Sequence, residues 1–380
     1  FNSKLNYSCK IIMIKSSTPL KLSVLIFILY SHTLASQKPF FHSEPGSYWL
    51  STDLHIHTVF SDGAVWPSIR VEEALREGLD LIAMTDHLEY QPHADDIPHP
   101  DRNRSYSIAK SVIQQDNDLL VINGSEITRE MPPGHINAVF IKDANALLHK
   151  DSLSGIKAAN KQNAFVFWNH PNWDSQRKNG IARLETFHVY LIENKLLHGI
   201  EVVNEFTFSE EALQIALDNN LTILGTSDIH GLTDWEHKIA KGGHRPMTFV
   251  HVVEKSEASF KNALFKGETF VWHQDLLIGK EKHLKNIISQ NIIFGEPKYA
   301  EDRAIMQVQI INKSATPFQM EYTGEYTFHK RGSVFIIPSK SELTLFIKTK
   351  IKKDSVALPF RILNAIISPN QLLEYTFVVK

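Results

Sequence analysis

The chain has 380 residues, of which 43% are hydrophobic, so it is long enough for a well-buried core in two domains or in one large and one small domain. Its 40 lysines and arginines nearly balance its 42 aspartates and glutamates, and the formal net charge is -2. This balance lacks the basic excess of a protein that binds nucleic acid nonspecifically, so we expect no nucleic-acid partner. The chain has 19 histidines and one cysteine, Cys9.

Residues 1–35 are predicted to be a leader that precedes the folded protein. A short apolar stretch, residues 22–30, follows two lysines and is followed by a small-x-small cleavage site at Ala35, the pattern of a secretory signal peptide. We expect translation to start at Met13, with residues 1–12 as upstream sequence. Cleavage would leave no cysteine for a disulfide or a lipid anchor, so we expect export to the periplasm or the outside of the cell, with no stable membrane anchor. An uncleaved anchor helix is the alternative.

The region from Tyr48 to about residue 275 alternates between apolar strands and helices. The predicted strands are 48–57, 79–85, 119–125, 136–141, 164–168, 199–203, 221–227 and 247–253, and the predicted helices are 67–78, 105–116, 152–162, 184–197, 209–218 and 256–266. Because the strands are continuously apolar, they are typical of a parallel sheet that is buried on both faces. Strand–helix repetition over this length predicts a barrel-like α/β fold, in which the chemistry collects at the carboxyl ends of the strands.

From about Lys280 the pattern changes to short segments in which apolar and polar residues alternate, at 305–311, 333–337, 343–348 and 375–379. This alternation predicts a small antiparallel β domain, a sandwich. We therefore divide the chain into the leader at 1–35, an α/β domain at 36–280 and a β domain at 281–380. The β domain carries no acid/base or metal cluster in its sequence, which favours a packing role, with glycan, surface or partner binding as the alternative.

The stretch STDLHIHTVFSDG at 51–63 carries the first candidate site. Strand side chains alternate between faces, so His55 and His57 point the same way, about 6–7 Å apart. Two neutral imidazoles at that spacing can bind one cation, and Asp62, in a Ser-Asp-Gly turn, can bring a carboxylate back beside them. An isolated His-x-His would equally suit an exposed edge strand. The further histidines and carboxylates that follow later strands favour the metal site.

Nine imidazole and carboxylate side chains form the set of candidate ligands. All but His135, which lies at a strand entrance, follow the ends of strands. They are His55, His57, Asp62, His87, Glu126, His135, His170, Asp228 and His230. Nine are too many for one cation, because Zn²⁺ takes about four ligands and octahedral ions about six. Two or three divalent ions would use them all, and a ring of imidazoles and carboxylates without thiolates suits zinc, manganese or iron rather than calcium.

Taken in order, these motifs resemble those of the PHP family, named for polymerase and histidinol phosphatase. The matching segments are DLHIHTVFSDG at 53–63, TDH at 85–87, Glu126, His135, NHP at 169–171 and SDIH at 227–230. Together they cover roughly residues 48–275. The β domain and the stretch GGHRPMT at 242–248 are similar to an exported branch that includes the Sb-PDE-type phosphodiesterases.

The resemblance implies a distorted (β/α)7 barrel, the PHP fold, with three bound metals. It implies that the first metal is held by His55, His57, Glu126 and Asp228, the second by Asp62, His87 and His230, and the third by Glu126, His135 and His170. Many relatives have a histidine where this chain has Asp62. A carboxylate makes that site harder, which favours manganese or iron over zinc.

The implied activity is metal-dependent hydrolysis of small-molecule phosphoesters, with phosphodiesters as the favoured substrates. Neighbouring divalent ions lower the pKa of a bound water towards about 7, so a metal-bridging hydroxide can attack phosphorus while the ions neutralise its oxygens. Asp62 and His230 are the candidate catalytic residues among the ligands, and Arg245 is the candidate for pairing with a phosphoryl group. Arg177 and Arg183 are rival candidates for that pairing.

Two alternative functions stay open. One is a phosphomonoesterase of the histidinol phosphatase type, although a monoester dianion would want more cationic clamps than the sequence shows. The other is a module that binds metals or glycans and has kept the barrel without turnover. The oligomeric state does not follow from the sequence.

Residues next to the ligands supply weaker predictions. Asp53 and Asp86 each adjoin a ligand histidine and are predicted to hydrogen-bond the ring nitrogen that does not touch metal. Trp168, Trp173 and Trp235 lie near ligands and are candidates to line an apolar leaving-group pocket, with core packing as an equal alternative.

Overall fold

The computed structural model describes residues 39–114 and 117–380. The predicted leader at 1–35 lies outside the described residues. No helix in these two described ranges is both long enough and apolar enough to cross a membrane. The fold is therefore described from Pro39 onwards.

Strands and helices alternate through the first two thirds of the described chain. The strands are β1 (Tyr48–Asp53), β2 (Leu81–Met84), β3 (Leu120–Ile127), β4 (Ile136–Val139), β5 (Phe165–Trp168), β6 (Gly199–Asn204), β7 (Thr207–Phe208), β8 (Thr222–Thr226), β9 (Met247–Val252), β10 (Thr269–His273) and β11 (Leu276–Gly279). The helices are α1 (Pro67–Glu77), α2 (Arg104–Ser111), α3 (Ser152–Lys161), α4 (Thr186–Glu193), α5 (Glu210–Asp218), α6 (Thr233–Glu236), α7 (Glu257–Phe265) and α8 (Glu281–Asn291). Short 3₁₀ helices lie at Asn145–Leu147 and Ile239–Lys241.

Local sequence explains where several helices begin and end. Pro67 occupies the first position of α1, and Gly78 ends that helix in the left-handed conformation, with φ of 79°. The hydroxyl of Ser209 accepts a hydrogen bond from the backbone N–H of Ala212 at the start of α5. Ser256 caps α7 in the same way. The predicted helices at these three places are confirmed to within one residue at each end.

Seven strands form a ring. β1, β2, β3, β4, β5, β6 and β8 pair in that order. The chain beyond β1 pairs with the chain beyond β8 through a parallel bridge between Ile56 and Ile229, which closes the ring. The predicted distorted seven-stranded α/β barrel is thereby confirmed.

One strand of the ring runs against the others. β4 pairs antiparallel with both β3 and β5, whereas the other neighbouring pairs in the ring are parallel. The expectation of an all-parallel sheet is wrong for this strand and for β9, which pairs antiparallel with β1. Because β4 is reversed, its first residue lies at the edge where the other strands end. This reversal explains how His135, at a strand entrance, reaches the same edge as ligands at strand exits.

The chain from Ile292 onwards forms a small antiparallel β sandwich, as predicted. Its strands are β12 (Ile292–Phe294), β13 (Lys298–Tyr299), β14 (Ile305–Asn312), β15 (Phe318–Tyr322), β16 (Thr327–Phe328), β17 (Val334–Ile337), β18 (Ser341–Lys348), β19 (Val356–Ser368) and β20 (Gln371–Val379). One sheet contains β12, β13, β14, β16 and β18, and β15, β17, β19 and β20 form the other. Inward-facing residues alternate with exposed ones along β14 and face a shared core.

The sandwich is joined to the ring by main-chain hydrogen bonds. β9 pairs with β1, β10 with β9 and β11 with β10, all antiparallel. β11 then pairs parallel with β19 of the sandwich, with Leu277 opposite Ala365. The second sheet of the sandwich thus continues the sheet that carries β1. The sequence did not predict β10 and β11, which make this connection, or α8, which follows β11.

Gly225 in β8 lies where the ring comes closest to the neighbouring strands. Its N–H donates to the hydroxyl of Thr248 in β9 at 2.8 Å, so a side chain bonds these strands in place of a ladder. A β carbon at Gly225 would lie 2.2 Å from Cγ1 of Val271 in β10. Only glycine allows this approach of β8 to β10.

We therefore expect Gly225→Ala to lower the free energy of unfolding by about 1–3 kcal/mol through overpacking. Urea denaturation of the metal-free chain measures the change. Gly332→Ala is the matched control, because no heavy atom lies within 4 Å of its β-carbon position, and its effect should stay within about 0.5 kcal/mol. Equal effects of the two substitutions would contradict the close approach.

Candidate metal centre

The nine predicted ligands come together at one edge of the ring. His55 and His57 follow β1, Asp62 lies in the next turn, His87 follows β2, Glu126 is in β3, His135 precedes β4, His170 follows β5, and Asp228 and His230 follow β8. The turn that presents Asp62 is closed by two hydrogen bonds to the carbonyl of Thr58, from the N–H groups of Ser61 and Gly63, each 3.0 Å long. Every one of the nine contacts at least one other of the set.

The carboxylate of Glu126 lies at the centre of the group and is fully buried. Five imidazoles surround it. The nitrogen–oxygen distances are 3.5 Å to His55 Nε2, 3.5 Å to His57 Nε2, 2.6 Å to His87 Nδ1, 3.0 Å to His135 Nδ1 and 3.5 Å to His170 Nε2. The amide of Asn169 donates a further hydrogen bond of 2.7 Å to Oε1.

Two other carboxylates complete the group. Asp228 Oδ1 lies 3.1 Å from His55 Nε2 and 3.0 Å from His57 Nε2. Asp62 lies 3.4 Å from His87 Nε2 and 3.2 Å from His230 Nε2. Asp228 has a φ of 49°, in the left-handed region that costs energy for a residue other than glycine.

The donor atoms fit divalent cations. Although several lie close to one another, six buried atoms of the nine side chains make no hydrogen bond of normal geometry with the described residues: His55 Nε2, His57 Nε2, Asp62 Oδ1, Glu126 Oε2, His170 Nδ1 and Asp228 Oδ1. Native proteins rarely leave buried polar atoms unsatisfied. Four atoms arranged at about 2.1 Å around a cation are about 3.4 Å apart. The spacings of 3.0–3.5 Å from the Nε2 atoms of His55 and His57 to Asp228 Oδ1 and to the two oxygens of Glu126 are close to that value.

The groupings agree in part with those that the family resemblance implied. One group that could hold an ion contains His57, Asp62, His87 and His230, so His57 joins the predicted second set. A group of His55, His57 and Glu126 belongs to the predicted first set. A third group contains His87, Glu126 and His135. His170, which was predicted for the third set, lies outside that group, and its Nε2 is 3.5 Å from Glu126 Oε1.

The charges of the group are strongly coupled. Burial lowers the pKa of His87, but Glu126 and Asp62 outweigh it and raise that pKa to about 10. Burial also lowers the pKa of His230, while Asp62 and Asp228 raise it to about 9 overall. Burial raises the pKa of Glu126, yet the imidazoles of His87 and His55 hold it well below its usual range. In the absence of a cation, the raised pKa values of His87 and His230 favour protonated imidazoles beside the carboxylates.

Glu201 was missed by the sequence analysis. Its Oε1 lies 2.8 Å from His55 Nδ1, and its Oε2 accepts a hydrogen bond of 2.7 Å from the backbone N–H of His170. An Nδ1–H donated to a carboxylate orients the ring and leaves Nε2 for a cation. The available signal was a single charged residue inside an otherwise apolar strand, since β6 reads GIEVVN.

Arg70, in α1, was also missed. The residue is 1% exposed and its guanidinium donates to the carbonyl of His57 at 2.9 Å and to that of His230 at 2.9 Å. It thereby ties the segment after β1 to the segment after β8. Its own charge is balanced by Glu73, at 2.7 Å.

The predicted roles of Asp53 and Asp86 need correction, because neither contacts a ligand ring nitrogen. Asp86 accepts hydrogen bonds from the backbone N–H of Thr58 at 2.7 Å and from the hydroxyl of Ser61 at 2.8 Å. That hydroxyl is 3.2 Å from His57 Nδ1, so Asp86 acts on the ring through Ser61. Asp53 instead accepts from the N–H and hydroxyl of Ser227.

Arg245 lies away from the ligand atoms. It is fully buried, donates to both oxygens of Glu77 at 2.9 and 2.8 Å, and donates to Asp53 at 3.0 Å. Burial lowers its pKa, but these two carboxylates outweigh that effect and raise it. A guanidinium so engaged has no open edge for a phosphoryl group, and this placement does not favour the predicted contact.

The rival arginines are also engaged. Arg177 is 4% exposed and donates to Glu185 at 2.5 Å and to the carbonyl of Arg183. Arg183 lies 3.2 Å from the same carboxylate. Of the three tryptophans, Trp168 is fully buried and stacks on His188 with 3.9 Å between ring centroids, so it packs in the core.

Comparisons with known proteins bear on both parts of the chain. The Ig-like domain family DUF5001 matches residues 292–378. A two-domain protein from Bacteroides vulgatus, described as containing a predicted PHP-like metal-dependent phosphoesterase, is 35% identical, with a TM-score of 0.83 over 91% of this chain and 100% of its own. PsfC from Pseudomonas syringae is 15% identical, with a TM-score of 0.42 over 59% of this chain and 91% of its own. A lesion-specific endonuclease from Pyrococcus furiosus is 17% identical, with a TM-score of 0.40 over 61% and 59%. A comparison with curated protein sequences gives no match.

Glu201→Gln should weaken cation binding without unfolding the chain. The amide keeps the size of the side chain but removes the charge that orients His55. The loss of such a partner typically lowers metal affinity by about 10- to 100-fold, and we expect a loss in that range. Elemental analysis after dialysis against graded chelator concentrations measures it. Glu193→Gln, at the exposed end of α4, is the control and should leave metal content unchanged. Equal metal content in all three proteins would contradict the role of Glu201.

Metal loading should release protons. Near neutral pH the metal-free chain carries protons on His87 and His230, because pKa values of about 10 and about 9 lie above that pH. A cation that binds their ring nitrogens must displace these protons, so its affinity should increase as the pH is raised. Calorimetric titration with Mn²⁺ in two buffers of different ionisation enthalpy measures the release. Identical heats in both buffers would contradict it.

Proposed function

The chain belongs to the PHP family of metal-dependent phosphoesterases, and from that premise we propose that it hydrolyses phosphodiesters in preference to phosphomonoesters. The observation that carries the proposal is the buried set of nine imidazoles and carboxylates, six of whose atoms lack a hydrogen-bond partner among the described residues. Divalent cations would satisfy these atoms. Two or three divalent ions of manganese, zinc or iron are the proposed cofactors.

The residues divide among three cation positions, and the first and third of these would share Glu126. The first would be held by His55, His57, Glu126 and Asp228, the second by Asp62, His87 and His230, and the third by Glu126, His135 and His170. Bound there, divalent ions acidify a coordinated water and neutralise phosphoryl oxygens. Glu201 and Asn169 hold His55 and Glu126 in place, so the donor atoms are arranged before a substrate arrives.

The arginine side chains near the centre favour a substrate with a single negative charge. Arg70, Arg129, Arg177 and Arg245, which lie beside the ligand segments, are paired with Glu73, Glu89, Glu185 and Glu77 respectively. A phosphomonoester dianion carries one more charge than a diester and gains more from an open guanidinium. The pairing of these four arginines therefore supports a preference for diesters.

The proposed setting is outside the cytoplasm. Its support is the sequence of residues 22–35, which has the pattern of a secretory signal peptide. A small-molecule phosphoester is the proposed partner, and the near-zero net charge supports no nucleic-acid partner.

The test compares metal content with hydrolysis on one preparation. We expect two or three metals per chain and a higher kcat/KM for bis-(p-nitrophenyl) phosphate than for p-nitrophenyl phosphate. His55→Ala and Asp228→Asn should each lower kcat/KM by more than about 100-fold, because loss of a ligand costs more than loss of a residue that only hydrogen-bonds a ligand. Glu193→Gln is the control, with activity unchanged.

Three other outcomes would contradict the proposal. A higher kcat/KM for the monoester would favour the histidinol phosphatase type of activity. Full activity of either ligand variant after stripping and reloading would refute the cation positions. No turnover after reloading with Mn²⁺, Zn²⁺ or Fe²⁺ would favour a module that binds metals or glycans without catalysis.

A further inference from the structure

A cavity of about 380 Å³ opens directly beside the metal centre. His135 lines it, and so does Thr128, whose hydroxyl lies 2.7 Å from His87 Nδ1. Both histidines contact the carboxylate of Glu126. The volume lies within the range of about 300–1,000 Å³ that is typical of small-molecule sites. A group attached to a phosphoryl at the metal centre would therefore reach this cavity.

The ring of Trp173 forms one wall of the cavity. Its centroid lies 5.5 Å from that of His135 and 5.1 Å from that of His170. These contacts cover one part of the indole, and the residue is still 42% exposed. A large aromatic surface is thus open to a ligand immediately next to two ligand histidines.

The backbone around Trp173 is held in place. Its N–H donates to the carbonyl of His170 at 2.9 Å, and its own carbonyl accepts from Gln176 at 3.0 Å and from Arg177 at 2.7 Å. Arg177 is in turn bound to Glu185. The indole is therefore presented from a fixed turn, as is needed for a surface that selects by shape.

The charges of the other lining residues largely balance one another. Arg129 lines the cavity, and its Nη2 lies 2.7 Å from Glu89 and donates to the carbonyl of His149 at 2.6 Å, while its Nε has no hydrogen-bond partner among the described residues. Glu130 adds a carboxylate to the lining. A second phosphate would meet a neutralised arginine and an acid, whereas an uncharged planar group would meet an open aromatic face. Tyr90, 51% exposed and 5.8 Å from the ring of His87, adds a second exposed ring near the centre.

We propose that Trp173 determines specificity by stacking on a planar aromatic substituent of the phosphoester, so that aryl esters are bound in preference to alkyl esters. This inference rests on the proposed phosphoesterase function and names the class of substituent that the site accepts. Stacking of a ring on an exposed aromatic side chain contributes a factor of about ten or more in affinity.

The test measures binding, separately from turnover, on the manganese-loaded full chain. Above the second pKa of each acid, phenylphosphonate and ethylphosphonate present the same dianionic group and differ in the planar ring. Calorimetry should give a Kd for phenylphosphonate about tenfold lower than for ethylphosphonate in the unsubstituted chain. Trp173→Ala should remove this difference and leave the Kd for ethylphosphonate unchanged. Trp173→Phe should retain most of it.

Trp235→Ala is the matched control, because Trp235 is 77% exposed and does not line the cavity. It should keep the full preference for phenylphosphonate. Circular dichroism and metal content of each variant verify that the fold and the centre are intact. If Trp173→Ala fails either check, the comparison of the two ligands is made with Trp173→Phe instead.

Two results would overturn the inference alone. Equal Kd values for the two phosphonates in the unsubstituted chain, or a preference that survives in Trp173→Ala, would refute stacking on Trp173 even where diesters are hydrolysed. A chain that binds neither phosphonate and hydrolyses no phosphoester would refute the proposed function as well. The two failures are therefore distinguished by whether bis-(p-nitrophenyl) phosphate is turned over.

Discussion

The structure of the site depends on one buried charge, the carboxylate of Glu126. Five imidazole nitrogens lie within 3.5 Å of it and no part of the residue is exposed. An isolated carboxylate would be too costly to bury, so it requires either imidazolium partners or cations around it. The imidazoles come from segments after β1, β2 and β5 and before β4. The same constraint that brings these segments together also creates the donor set for divalent ions.

Around this centre, a second set of charges is satisfied without cations. Arg70 binds carbonyls of the ligand segments, Arg245 binds Glu77 and Asp53, and Asp86 acts through Ser61. These groups are buried and bind the segments that carry the ligands, so their role is to orient those segments. Because these arginines are already paired with groups of the protein, they are compatible with the proposed preference for a singly charged phosphoester.

The β sandwich is bonded to the ring through its backbone and supplies none of the nine predicted ligands. β11 pairs with β19, so one sheet runs from the sandwich through β10 and β9 to β1. β1 is followed directly by His55 and His57. An Ig-like module joined by backbone hydrogen bonds therefore supports the strand from which the first two ligands extend, while every described member of the nine-residue set belongs to the α/β part.

The sequence by itself determined the fold class, the alternation of strands and helices, the sandwich and the nine candidate ligands, because periodicity and the placement of histidines after apolar strands are local properties. Only the tertiary structure decided the partners of those residues. His135 joins the group because β4 is reversed, Glu201 binds His55 across the ring, and Arg245 is taken up by Glu77, 168 positions away in the chain. Strand direction and contacts at such separations depend on which segments pack together, and a local pattern of side chains does not encode that choice.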